Sequence, residues 1–145
     1  MTFETLVKVL FILFSIGIAI LDFKTGSVPR LAFIFAFLAF LTLRVVSNSF
    51  SWLAIAGAVM GLSIFMLAFV LSKKKLGLAD VWYSGIIGFV LGSLYWYMAI
   101  SFACVMGILF ILVKKKYSGF WSAIPFIPFM AAGSITVSII EGRIQ

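Results

Sequence analysis

Residues 81–113 read VWYSGIIGFVLGSLYWYMAISFACVMGILFILV, 33 positions without a charge. One continuous helix of that length would measure about 50 Å, against a bilayer hydrocarbon core of about 30 Å. Gly92-Ser93 offers a break near the middle. Tyr95, Trp96 and Tyr97 follow it and are expected to form an interfacial aromatic belt. The run is therefore read as two helices joined by a tight turn.

Four further apolar runs flank this stretch: Phe3–Leu21, Leu31–Val46, Phe50–Leu71 and Pro125–Ile140. Most approach the roughly 20 residues that a helix needs to cross a bilayer. In lipid the backbone must bond to itself, so the runs are helices. A barrel would require alternating polarity, which is absent. With the long run split, the expectation is an all-α membrane bundle of six transmembrane helices forming one domain, residues 1–145.

Composition agrees with lipid as the solvent. Hydrophobic residues make up 65% and charged residues 10%, against roughly 45–50% and about 25% in soluble domains. The first run has only Lys8 against Glu4 before it reaches Asp22, with no small-x-small cleavage site, so it is read as a retained helix. A net charge of +7 in a soluble chain would point to nucleic acid. Here Lys73-Lys74-Lys75 and Lys114-Lys115-Lys116 abut apolar runs, so lipid is the expected partner and nucleic acid is not.

Charge also orients the bundle. With six helices and both termini outside, the cytoplasmic loops hold eight basic residues: Lys24, Arg30 and the two triplets. The outside holds three: Lys8, Arg44 and Arg143. The positive-inside rule then favours N-out/C-out. Asp22 at the end of the first helix and Asp80 at the start of the fourth fall at one depth, on the cytoplasmic side.

The residue inventory removes several chemistries. There is no histidine and a single cysteine, Cys104. A Ser-His-Asp triad and an HExxH zinc site are thereby ruled out, and no CxxC metal site exists. No metal or cofactor is expected. The acids are Glu4, Asp22, Asp80 and Glu141, so just two carboxylates lie away from the ends. Two aspartates held close share a proton, since both cannot ionise easily. One can activate water while the protonated partner polarises a carbonyl. Each residue alone also has a plainer reading, Asp22 as a turn residue and Asp80 as a helix N-cap. The pairs Gly57/Gly61 and Gly88/Gly92 read as helix-packing contacts.

Three motifs, in order, resemble those of the type IV prepilin peptidases, membrane aspartic proteases of the GxGD type. The first is Asp22-Phe23-Lys24-Thr25-Gly26-Ser27-Val28-Pro29-Arg30. The second is Gly77-Leu78-Ala79-Asp80-Val81, and the third Ile124-Pro125-Phe126-Ile127-Pro128-Phe129. The resemblance implies that Asp22 and Asp80 are catalytic, that Gly77, Ala79, Pro125 and Pro128 bind substrate, and that the substrate is a prepilin-like protein. Its leader would be cut at the cytoplasmic face of the inner membrane, ahead of an apolar helix. Lacking a region of paired cysteines, the chain is similar to the short forms that cleave without methylating the product. It departs from the pattern at Ala79, Arg30 and Ile127. An inactive member serving pilus assembly, a lipoprotein signal peptidase and a small transporter are the alternatives.

Overall fold

The computed structural model describes residues 3–73, 76–117 and 126–144. They form five helices: α1 Phe3–Thr25, α2 Arg30–Val46, α3 Trp52–Leu71, α4 Leu78–Tyr117 and α5 Ile127–Ile144. No strand occurs among the described residues.

The boundaries follow local chemistry. Gly26 takes φ 65, the left-handed cap that glycine adopts without penalty, and its N–H donates to the Asp22 carbonyl at 2.8 Å. Pro29, extended at φ −64 and ψ 133, caps α2. The Ser51 hydroxyl caps α3 by accepting from the Leu53 N–H at 3.1 Å.

The break expected at Gly92-Ser93 is present. Gly92 stands at φ 79, ψ 173 inside α4. The indole N–H of Trp96 donates to the Ser84 hydroxyl at 2.9 Å. Twelve residues of straight helix would hold these positions about 18 Å apart, so the second arm folds back on the first. Trp96 itself corrects the expected aromatic belt. It is buried, while Tyr97 on one side is exposed and Tyr95 on the other half-buried. Consecutive helical residues point about 100° apart, so three in a row cannot all face the interface.

Six transmembrane spans are not what the helices carry. Three are long and apolar enough to cross a membrane: Phe3–Thr25, Trp52–Leu71 and Leu78–Val113. With 17 residues, α2 rises only about 26 Å. The apolar part of α5, Ile127–Glu141, is shorter still, and α4 is divided into two arms by its bend at Gly92. The outer surface remains apolar: Leu13, Phe35, Trp52, Val70 and Leu94 are all exposed. Such a surface is stable against lipid rather than water.

Packing is antiparallel wherever small residues meet. Gly57 lies against Gly88, and Gly61 against the Ser84 carbonyl, so α3 descends as the first arm of α4 rises. Gly133 lies against Ala99, and Phe126 against Gly107, which sets α5 antiparallel to the second arm. These close approaches need residues without a Cβ, as in other membrane helix pairs. Thus Gly57, Gly61 and Gly88 pack as expected, and Gly92 both meets Gly57 and forms the bend.

The register places the starts of α1 and α3, the ends of α2 and α5, and the Gly92 bend at one end of the bundle. The opposite end gathers the end of α1 and the starts of α2, α4 and α5. Arg44 fastens α2 to the bend. Its guanidinium donates to the Val90 carbonyl at 2.7 Å and the Ser49 carbonyl at 3.2 Å, and lies 5.6 Å from the Phe89 ring centre. The bond to Val90 ties the end of α2 to the first arm of α4 beside the bend. Arg44→Leu is expected to cost about 2 kcal/mol, read as a lower unfolding midpoint in detergent.

Candidate active site

The buried stripe of α1 runs Val7, Phe11, Ser15, Ile18, Asp22, the spacing of one helix face. Asp22 is its last member, in the final turn, with 6% of its surface exposed. The Gly26 cap ends the helix just beyond it.

Asp80 is the third residue of α4 and equally buried. Its Oδ2 accepts from the Gly77 N–H at 3.1 Å, while the Asp80 N–H donates to the Gly77 carbonyl at 3.1 Å. Gly77, not Asp80, is therefore the capping residue. Asp80 fills the third helical position of a capping box, where a carboxylate reaches back to the orphan N–H. One carboxylate oxygen is held by this bond.

The fold brings Asp22 and Asp80 to the same end of the bundle, both buried. Among the described residues no lysine or arginine forms an ion pair with either. The other two acids lie at the far end. Glu4 is exposed, and Glu141 pairs with Lys8 at 3.4 Å. Two buried carboxylates without a cation partner among the described residues, in an apolar bundle, are costly to ionise. Among the described residues, no three of His, Cys, Asp and Glu cluster as a metal site.

The other expected site residues divide. Gly77 touches the carboxylate: a Cβ there would stand 3.1 Å from Asp80 Oδ2. Ala79 is half-buried and packs on the apolar core. Pro128 lies in the first turn of α5 at the aspartate end, half-buried. Pro125 falls outside the described residues. Phe126, just ahead of α5, stacks on Phe65 with ring centres 6.4 Å apart.

Sequence reasoning missed a cluster of hydroxyls inside the bundle. Ser15, Tyr83 and Ser134 are fully buried, and the Tyr83 hydroxyl faces the other two. Spacing was the available signal: Ser15 is seven residues before Asp22, and Tyr83 three after Asp80, each on the aspartate's own face.

The model of the type IV leader peptidase family matches residues 9–112. That span contains Asp22, Gly77, Ala79 and Asp80 and stops before Pro125 and Pro128. No curated protein and no solved structure matches the chain.

Proposed function

We infer the function from one premise: the chain belongs to the type IV leader peptidase family. It is a membrane peptidase of that family. The finer reading is an aspartic endopeptidase that removes the leader of a type IV prepilin-like protein, with Asp22 and Asp80 as its catalytic pair. The observation that carries this reading is their placement. The two carboxylates without a cation partner among the described residues share one end of the bundle.

In this reading the ionised aspartate takes a proton from water, and the protonated one donates to the scissile carbonyl. Water oxygen bonds to the carbonyl carbon. The C–N bond then breaks as the amine takes up a proton from the pair. The substrate's apolar segment lies along the exposed apolar helix faces, and its scissile bond reaches Asp80 beside Gly77, where no Cβ obstructs approach. Lys24, Arg30 and Lys73 lie in or beside the loops at this end, which orients it towards the cytoplasmic face of the inner membrane and the termini outside.

The rival of an inactive member rested on Ala79, but the methyl there packs on the core while Gly77 meets the carboxylate. Gly77→Ala is expected to slow cleavage roughly ten- to a hundredfold by pushing Asp80 out of place. Ala79→Gly should change the rate far less. Comparing initial rates of leader loss, with melting curves to confirm folding, ranks the two. A larger effect at Ala79 would return weight to the rival.

The activity is tested by expressing the chain with prepilin-like proteins of its own genome and following leader loss by intact mass. Release of the leader supports the reading. Uncut substrate throughout, with the chain folded in the membrane, would sink it.

A further inference from the structure

Hydrolysis in an apolar bundle consumes water where water is scarce. We propose that Ser15, Tyr83 and Ser134 hold a water molecule inside the bundle, and that this site feeds hydrolysis at Asp22 and Asp80. The second half rests on the peptidase reading; the first does not.

Three observations carry it. The Ser15 Oγ and the Tyr83 hydroxyl are buried, and neither completes a well-formed hydrogen bond within the described residues, although the Tyr83 hydroxyl lies near those of Ser15 and Ser134. In a bundle this apolar, an unpaired hydroxyl is costly, and polar groups facing one another without bonding are where a bridging water sits. The Ser134 Oγ donates to the Ala131 carbonyl at 3.0 Å, which leaves its lone pairs to accept. Three converging hydroxyls from α1, α4 and α5 match the usual number of partners of a buried water.

Position links this site to the aspartates. Tyr83 is one turn along α4 from Asp80, about 4.5 Å of rise. Ser15 is two turns along α1 from Asp22. On the other side the polar residues continue. Ser138 Oγ donates to the Ser134 carbonyl at 2.8 Å, and Glu141 follows one turn on, paired with Lys8. Those two line a cavity of about 480 Å³ at the bend end, with Arg44 and Ser93. Polar side chains thus form one seam from that cavity to the aspartates, separate from the buried Ser84–Trp96 pair. In the step fed, the water oxygen ends in the new carboxylate. Its protons pass to the pair and to the departing amine, and nothing is oxidised or reduced.

The test is hydroxyl-radical footprinting by X-ray radiolysis of the full chain in lipid nanodiscs, read by mass spectrometry. Radicals born from a bound water oxidise the side chain beside it. Tyr83 is expected to be labelled at least tenfold faster than Phe40 and Phe65, which are buried in the apolar core. Labelling as slow as theirs overturns the water site. In Ser15→Val the labelling of Tyr83 should fall, and kcat for leader cleavage should drop about tenfold with KM unchanged. Ser15→Thr, which keeps the hydroxyl, should restore both. Labelled Tyr83 with cleavage indifferent to Ser15→Val overturns the feeding role. Fast labelling of Tyr83 in a chain that cuts no leader keeps the water site and sinks the peptidase reading.

Discussion

Asp80→Asn is expected to reduce leader cleavage about a thousandfold or more while leaving the bundle folded. Removing one member of a catalytic unit typically costs rate on this scale. Asparagine keeps the size of the side chain and an oxygen that can accept from the Gly77 N–H, the bond that caps α4. It cannot hold or share the dyad's proton. Asp22→Asn should show a loss of similar size. The double variant should be no slower than the worse single one, because the second substitution removes nothing from a pair already broken. Rates of leader loss by intact mass for all three, beside melting temperatures in detergent, decide it. Additive losses would mean that the aspartates act separately. Retained cleavage in either single variant would remove that residue from the chemistry.

Gly88→Leu should prevent the bundle from assembling. A Cβ at Gly88 would run into the Gly57 carbonyl, backbone against backbone, where no side chain can swing aside. Overpacking of side chains costs about 1–3 kcal/mol. Here two helices must separate, so a loss of more than about 3 kcal/mol is expected. The α3–α4 contact is the most extensive in the fold, which makes the effect global. Gly17→Leu is the control. Gly17 is exposed on α1 with nothing within 4 Å of an added Cβ, and leucine there meets lipid. Size-exclusion profiles and unfolding midpoints in detergent should separate the two variants clearly. Equal stability would mean that α3 and α4 do not pack in this register.

What could be read from the order of residues was whatever lipid and local backbone chemistry decide. The apolar runs became helices because a chain with 65% hydrophobic residues has no other way to satisfy its backbone in a bilayer. Gly26, Pro29 and Gly92 ended or bent those helices through their own conformational limits. The two aspartates stood out because acids are so few, and the motifs around them matched a family whose membership the comparison supports. Tertiary structure decided what depends on rotation and register between helices. Trp96 turned inward beside an exposed Tyr97, because each step along a helix turns the side chain by about 100°. Asp80 proved to be the third helical residue, tied back to Gly77, a distinction of a single turn that sequence does not resolve. Three helices rather than six carried the length and hydropathy of a membrane span. The hydroxyls of Ser15, Tyr83 and Ser134 were placed face to face only by the packing of α1, α4 and α5. No one helix records which residues its neighbours will bring.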